Sequence, residues 1–289
     1  MGLEDPRQPA PGAGRQGAVL WPAAGANVFE SGRLDLPEPL TDVAPYYWWV
    51  TWRHDRPAPV RQQVLTHPMS HLTIESADGG RLHGLDVPAA LVHGVVTKVF
   101  TVQLPVAGRV AGVAFHPGGL TALVGQVAGD LTNAVVSAEQ LFAGTSELTE
   151  QVLSADDDEA RREAIAAFLQ ARLEPDLDRV RADRAYRTVR RAVDLMRSRE
   201  QVALAPIAEQ VHVSVRTLQR LFARYVGVSP LWVLRRHRLQ DAVAALDAGD
   251  GGDIAALAAS LGFADHAHFT RAFTQLIGVT PSAYRAGVR

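Results

Sequence analysis

The sequence predicts a two-domain α+β protein. A β-rich, barrel- or sandwich-like N-terminal domain with some helices precedes an all-α domain built on two helix-turn-helix units. Three observations support this. The chain has 289 residues, enough for about two domains of ~100–200 residues each. Its apolar pattern changes from short runs to a helical period near residue 178. A short pattern in the helical part also occurs twice.

The N-terminal part reads as strands separated by turns. Between residues 18 and 136, short apolar runs rich in β-branched and aromatic residues are broken by Gly, Pro and Asp. From Ser137 to Leu173 the pattern predicts helices. SAEQLF is typical of a capped helix start, and DDDEARREAIAAFLQARL has an acidic first turn before an amphipathic run.

These changes of pattern predict four segments. Residues 1–18, polar and rich in Pro and Gly, form a disordered tail. Residues 19–175 form the N-terminal domain. A break at Glu174-Pro175-Asp176 begins a linker over 176–185, and residues 186–289 form the helical domain.

Composition excludes several kinds of site. The chain has no cysteine, which removes disulfides, thiolate catalysis and zinc–cysteine sites. No apolar run approaches the ~18–20 residues of a membrane span. The N-terminus lacks the basic start and apolar stretch of a secretory signal. We therefore expect a cytoplasmic protein with no membrane partner.

Charge is distributed unequally along the chain. Residues 1–180 carry 13 basic and 22 acidic side chains, whereas residues 181–289 carry 16 basic and 9 acidic ones. A basic segment is typical of a protein that binds a polyanion, although small helical domains are often mildly basic as well.

The repeated pattern is SVRTLQRLFARYVGVSP at 214–230 and DHAHFTRAFTQLIGVTP at 265–281. A short helix and a turn precede each copy, so the units lie at about 203–226 and 254–276. Gly262 suits a left-handed turn in the second unit, and His212 stands in its place in the first. In this arrangement the second helix of each unit enters the DNA major groove.

The C-terminal part resembles the DNA-binding domain of the AraC/XylS family of bacterial transcription regulators. IAEQVHVSVRTLQRLFARYVGVSPLWVLRRHRLQDA and IAALAASLGFADHAHFTRAFTQLIGVTPSAYR carry the resemblance. The second contains the family pattern GF-x-D-x-x-x-F-x-R-x-F…G-x-T-P-x-x-Y-R; the first departs from the family at His212. The resemblance implies a long helix over about 230–246 that joins the units. At ~25 Å it suits two helices about one DNA turn, ~34 Å, apart.

Candidate DNA-reading residues lie at the N-terminal ends of the two recognition helices. Arginine suits guanine and glutamine suits adenine. The candidates are Arg216, Thr217, Gln219 and Arg220 in the first unit, and His266, His268, Thr270 and Arg271 in the second. Since both copies carry the arginine at 220 and 271, these two side chains have phosphate or acidic-partner contact as an alternative. We expect Ser214 and Asp265 to cap their helices.

The joining helix carries a basic run. Arg235, Arg236 and Arg238 are candidates for phosphate contacts, with a solvated helix face as the alternative.

The N-terminal domain offers a weaker signal. Tyr46, Trp48, Trp49 and Trp52 on one predicted strand could line an effector pocket or simply anchor the sheet. Six histidines lie between residues 54 and 116, but their spacings match no helix-based metal pair except His67/His71, where Pro68 disfavours a helix. We therefore expect scattered structural or surface histidines, no metal and no cofactor.

Roughly residues 40–170 are similar to an uncharacterised domain often fused to this type of DNA-binding domain. In the wider family such front domains sense small molecules, dimerise, or both. We therefore expect a sequence-specific transcription regulator, monomeric or homodimeric, that acts on double-stranded DNA in the bacterial nucleoid and is not an enzyme. RNA polymerase and a small-molecule effector are candidate partners. The alternative is a β-barrel small-molecule-binding protein or enzyme with an accessory helical interaction module.

Overall fold

The computed structural model describes residues 17–20, 29–56, 58–198, 203–249 and 253–288. The N-terminal part is built mostly from short strands. They are β1 (Gly17–Val19), β2 (Phe29–Asp35), β3 (Tyr46–Arg53), β4 (Val60–Thr66), β5 (His71–Ala77), β6 (Arg81–Leu82), β7 (Leu85–Asp86), β8 (Ala89–His93), β9 (Phe100–Leu104), β10 (Ala107–Ala114) and β11 (Val135–Ser137).

The strands pair into antiparallel sheets. A six-stranded sheet has the order β11-β8-β5-β10-β3-β2, a three-stranded sheet has the order β1-β4-β9, and β6 and β7 form a hairpin. Among the described residues no sheet closes into a barrel, because β2 and β11 remain edge strands. The predicted β-rich class is confirmed, and its barrel form is corrected to open sheets.

Helices follow and surround the sheets. They are α1 (Gly119–Val124), α2 (Thr145–Ser154), α3 (Asp158–Leu173), α4 (Leu177–Ala182), α5 (Arg184–Arg197), α6 (Leu204–Gln210), α7 (Val215–Tyr225), α8 (Pro230–Asp247), α9 (Ile254–Ser260), α10 (His266–Ile277) and α11 (Pro281–Val288). The acidic start predicted for α3 is confirmed, since the Asp157 side chain accepts a hydrogen bond from the backbone N–H of Ala160 at 2.8 Å. Helices α2 and α3 pack on the six-stranded sheet.

Two segments differ from their predicted character. The described structure begins with Gly17–Val19, which pair with β4, so part of the predicted tail is a strand. Residues 1–16 lie outside the described residues. The predicted linker, 176–185, is mostly helical and contributes to the core, because Val180 is 1% exposed. Burial of this apolar side chain stabilises the packing of the segment against its neighbours.

The two parts of the chain share their hydrophobic cores. In the larger core, Leu120 and Leu131 of the N-terminal part lie in one cluster with Phe222 of α7. In the second core, Leu20 and Leu65 of the N-terminal part lie in one cluster with residues of helices α8 to α11. The helical domain is therefore packed against the N-terminal domain along both of its units.

Candidate nucleic-acid interface

The first helix-turn-helix unit consists of α6 and α7. His212 adopts a left-handed backbone conformation, with φ of 56°, in the turn between them. Its N–H donates to the carbonyl of Glu209 at 2.9 Å, and the Val213 N–H donates to the carbonyl of Ala208 at 3.0 Å. Leu218 and Phe222 of α7 are fully buried against α6 and its neighbours.

The second unit repeats this geometry with α9 and α10. Gly262 takes the left-handed position, with φ of 72°. Its N–H donates to the Ala259 carbonyl and the Phe263 N–H to the Ala258 carbonyl, each at 3.0 Å. The predicted equivalence of His212 and Gly262 is confirmed. The histidine occupies a conformation that glycine adopts more readily.

The N-terminal end of α7 presents a mixed polar surface. Arg216, Gln219 and Arg220 are exposed. Thr217 is half-buried, and its hydroxyl accepts a hydrogen bond from Ser214 at 3.0 Å. Ser214 also caps the helix by accepting from the Thr217 N–H, as predicted. The three exposed side chains are therefore available for a ligand, whereas Thr217 is committed to the helix start.

The N-terminal end of α10 is arranged differently. His266 and Arg271 are exposed, and Asp265 caps the helix as predicted. His268 is half-buried with its ring edge-on to Phe263, at 5.4 Å between centroids. The hydroxyl of Thr270, also half-buried, lies 3.5 Å from Nε2 of His266. The second surface thus presents one arginine and one histidine where the first presents two arginines and a glutamine.

The joining helix α8 begins after its cap residue, Ser229, and its three arginines lie in different environments. Arg235 is exposed. Arg238 is partly buried and donates to the carbonyl of Gly262 at 3.2 Å, which ties α8 to the turn of the second unit.

Arg236 is 2% exposed, and burial lowers its pKa to about 9. It donates to the Thr66 carbonyl at 2.9 Å, to the Thr66 hydroxyl at 3.2 Å and to the Lys98 carbonyl at 3.4 Å. The predicted phosphate contact of Arg236 is wrong, because the helix turns this residue into the interior. The acceptors of its hydrogen bonds are backbone and hydroxyl oxygens of the N-terminal domain.

The first unit is also anchored to the N-terminal domain. The hydroxyl of Thr121 donates to the Tyr225 carbonyl at 3.3 Å, and that of Thr132 donates to the Gly227 carbonyl at 3.1 Å. Gly227 has φ of 81°, and a Cβ there would lie 2.3 Å from the Thr132 hydroxyl. The turn at the end of α7 therefore needs glycine both for its conformation and for this contact.

The aromatic side chains of β3 have packing partners. Trp52 is 3% exposed and donates to the Pro105 carbonyl at 3.0 Å. Trp48 donates to His71 at 3.1 Å. Trp49 stacks on Tyr47 and lies over Gly32. The guanidinium of Arg33 lies 4.3 Å from the ring centre of Tyr46.

Two open pockets in the described structure are lined by other residues. One, of about 350 Å³, lies around Leu123, Phe142 and Arg172. The other, of about 340 Å³, lies around His83 and Gln103. The contacts of the β3 aromatic residues agree with a role as sheet anchors, and their role in lining an effector pocket stays a prediction.

A group that the sequence did not predict lies in the N-terminal domain. Glu75 of β5 is 1% exposed and lies 3.1 Å from Nε2 of His83 and 2.7 Å from Nε2 of His93. Spacing along the chain does not reveal this cluster, because its members come from β5, β8 and a turn between them.

Comparison with known proteins gives two family matches. Residues 207–287 match a family described as a helix-turn-helix domain. Residues 36–137 match a family described as a domain of unknown function, DUF6597. In the described residues, no helix is both long enough and apolar enough to cross a membrane.

Two curated relatives match within the helical part. Over 79 residues the chain is 44% identical to the HTH-type transcriptional activator RhaR of Pectobacterium carotovorum and 43% identical to RhaR of Pectobacterium atrosepticum. Each match covers 27% of this chain and 27% of the relative. The similarity is therefore that of one domain.

Among solved structures, the chain is similar to an AraC-type transcriptional regulator from Chromobacterium violaceum, with 30% identity, coverage of 35% of this chain and 91% of that chain, and a TM-score of 0.33. ToxT from Vibrio cholerae gives 13% identity, 90% and 98% coverage and a TM-score of 0.41. These TM-scores are too low to establish a shared fold. Residues 207–287 of this chain match the helix-turn-helix domain family, as the resemblance to AraC/XylS regulators implied, and residues 36–137 match a family of unknown function.

Proposed function

We propose that the chain is a sequence-specific DNA-binding transcription regulator. Helices α7 and α10 read two adjacent segments of the major groove, and the N-terminal domain controls how they are presented. The observation that carries this proposal is the pair of geometrically matched units whose recognition helices expose different polar side chains. The relatives that match this domain are transcriptional activators, which supports a regulator rather than an enzyme.

The exposed chemistry fits base and phosphate contact. Arg216, Gln219 and Arg220 lie within the first six residues of α7, the end that approaches base edges in this type of docking. Arginine forms paired hydrogen bonds with guanine and glutamine with adenine. On α10, His266 and Arg271 are the accessible members. His268, Thr217 and Thr270 belong to the same surfaces as partly buried contributors.

Arg235 is the phosphate contact that α8 offers. It is exposed on the helix that joins the two units. Arg238 lies one turn further along α8, but its bond to Gly262 makes it a positioning residue for the second unit. Phosphate contacts fix register on the duplex without reading sequence.

Control by the N-terminal domain is supported by how closely that domain holds the helices. The Arg236 bonds to Thr66 and Lys98 join α8 to the three-stranded sheet and its flanking loop. The bond from Thr132 to Gly227 holds the end of α7. A small molecule or a second copy that moved these contacts would change the spacing of α7 and α10.

The protein acts in the bacterial cytoplasm, on the nucleoid. RNA polymerase is its partner at the promoter.

The experiment is selection of DNA from a fragmented genome by the full chain at moderate salt, followed by fluorescence anisotropy on the enriched site. We expect a preferred site with two contacted segments about one helical turn apart. We expect Arg216→Ala with Gln219→Ala to weaken binding to this site, and Arg53→Ala, an exposed arginine on β3, to leave it unchanged. Failure to enrich any sequence, or equal loss in the control variant, contradicts the proposal.

A further inference from the structure

Three side chains with metal-ligating atoms meet inside the N-terminal domain. Glu75 lies on β5, His93 ends β8, and His83 lies in the turn between β6 and β7 with φ of 53°. One ligand atom from each residue lies within 4.8 Å of the other two. Both histidines direct Nε2 to the same carboxylate, at 2.7 and 3.1 Å. Three separate chain segments thus place their polar ends at one point.

These three side chains are deeply buried although each of them can carry a charge. The Glu75 side chain is 1% exposed and those of the two histidines are 11% exposed. Within the described structure, the ion-pair partners of Glu75 are these histidines, and neither is a permanent cation. A buried carboxylate needs a positive partner to offset its desolvation.

The donor set is the one that zinc and similar ions select. Two histidine nitrogens and one carboxylate oxygen form the protein part of open zinc sites. With zinc–nitrogen and zinc–oxygen bonds of ~2.0–2.2 Å, tetrahedral ligand atoms lie roughly 3.3 Å apart. The distances from Glu75 to His93 and His83 are 2.7 and 3.1 Å. The three side chains therefore need to move only slightly further apart to admit an ion between them.

The surroundings supply an outer partner and an approach. The hydroxyl of Thr73 donates to Oε1 of Glu75 at 2.8 Å, as outer partners of metal-bound carboxylates do. The ring of Phe100 packs beside both histidines, with centroids 5.4 and 6.0 Å away. The open pocket of about 340 Å³ is lined by His83 itself, with Thr101 and Gln103. An ion at this site would be reached from that pocket.

We propose that Glu75, His83 and His93 form a binding site for a divalent transition-metal ion, with Zn²⁺ as the best match. The ion neutralises the buried carboxylate and fastens the β6–β7 turn to the six-stranded sheet. Its fourth position faces the pocket side and is filled by water or by a small ligand that enters there. The site is independent of the DNA-binding surface, and its test does not require DNA.

The test is direct titration of the full chain after treatment with a chelator and dialysis. Co²⁺ serves as a visible-absorption probe, and Zn²⁺ competes for it; metal content after gel filtration gives the stoichiometry. We expect one ion per chain, a Co²⁺ spectrum of low-coordinate nitrogen–oxygen ligation, and a higher melting temperature with Zn²⁺.

Three variants locate the ion. We expect Glu75→Gln, His93→Gln and His83→Asn each to weaken Zn²⁺ binding at least ~10-fold, since the loss of an outer-shell partner alone has that effect. Asparagine at position 83 tolerates the left-handed backbone and keeps the turn intact. His67→Gln, on the connection before β5, is the matched control and should bind normally.

Two results overturn the proposal. One is the absence of stoichiometric Co²⁺ or Zn²⁺ binding by the folded wild-type chain, which would leave a purely hydrogen-bonded cluster. The other is unchanged binding in His83→Asn. If the substitutions at the buried positions 75 and 93 prevent folding, the wild-type titration and His83→Asn still decide the outcome.

Discussion

The Nε of Arg236 donates to the carbonyl oxygen of Thr66 at 2.9 Å, which joins the helix between the two helix-turn-helix units to a strand of the N-terminal domain. Gln240, one turn along the same helix, donates to the same carbonyl at 2.9 Å. Within the part of the chain that the structure describes, the hydrogen-bond partners of Arg236 are neutral oxygens, and its guanidinium lies 5.3 Å from the ring centre of Trp232. This contact connects the two parts of the chain at the centre of the helical domain.

We expect Arg236→Ala to lower the free energy of unfolding by about 2–4 kcal/mol, because it leaves a cavity and removes hydrogen bonds from buried oxygens. Arg236→Met should cost less than about 1 kcal/mol, since methionine fills the space and Gln240 still satisfies Thr66. Urea denaturation measures both. The exposed neighbour Arg235 is the control: its alanine variant should change stability by less than ~0.5 kcal/mol but weaken binding on all DNA sequences. If the alanine variants of Arg235 and Arg236 lost equal stability, the distinction between an exposed and a structural arginine would be wrong.

Arg220 tests whether the shared arginine of the two recognition helices reads a base. It is exposed on α7, and Arg271 occupies the same place on α10. We expect Arg220→Ala to cost ~1–3 kcal/mol on the preferred site and to relax preference at one base position. Binding to a panel of single-base variants of the site measures this. Equal weakening on every sequence, with a smaller salt dependence, would identify a phosphate contact instead.

Periodicity and the repeated pattern predicted the helical part well. The buried positions Leu218 and Phe222 recur as Phe269 and Phe273, and all four are 0% exposed. Local pattern is sufficient here because each unit builds its core from residues close in sequence.

The sequence was less informative where contacts join distant segments. A basic run on a helix does not show which arginine points inward, and Arg236 is bonded to residues 170 and 138 positions away. The partners of Glu75 are 8 and 18 positions away on other elements, so no fixed spacing marks them. Open sheets rather than a barrel also depend on which strands remain edges, and strand patterns do not specify that.

His212 holds a left-handed conformation that suits glycine, so its replacement by glycine should not damage the turn. The strain of a non-glycine residue there is about 1–2 kcal/mol, offset in part by the greater freedom of glycine in the unfolded chain. We expect His212→Gly to raise the free energy of unfolding by up to about 1 kcal/mol. Gly262→Ala in the equivalent turn should lower it by about 1 kcal/mol. Thermal or urea denaturation of both variants measures the pair, and a loss of stability in His212→Gly would show that the imidazole has a role of its own.

Partly buried histidines make the fold sensitive to acid. Burial, with help from Arg190, lowers the pKa of His116 from 6.5 to about 4. Between these values the unfolded chain binds more protons, so stability falls as pH decreases from about 6.5 to 4, by up to ~1.4 kcal/mol per pH unit for this group. Burial also lowers the pKa values of His71 and His237 to about 3.

We expect His116→Gln to reduce the stability lost between pH 6.5 and pH 5 by about 1–2 kcal/mol. Glutamine can still donate to the Thr41 carbonyl that His116 contacts at 3.2 Å. Urea denaturation at the two pH values provides the measurement. An unchanged difference between them would mean that His116 does not titrate in this range.

The two recognition helices share buried residues and differ at their exposed ones, which allows their specificities to be exchanged. Arg216, Thr217 and Gln219 of α7 correspond to Ala267, His268 and Thr270 of α10. The triple substitution R216A/T217H/Q219T removes the Ser214–Thr217 hydroxyl contact but keeps Leu218, Phe222 and the Ser214 cap, which accepts from the backbone N–H of residue 217, so α7 should still form. We expect its half of the preferred site to shift towards the sequence that α10 reads, with the other half unaltered. Repeating the selection with this variant tests the exchange. The double variant R216A/Q219A is the control, because it removes side chains without supplying new ones and should weaken that half without redirecting it. A preference unchanged in both halves would show that these positions do not determine specificity.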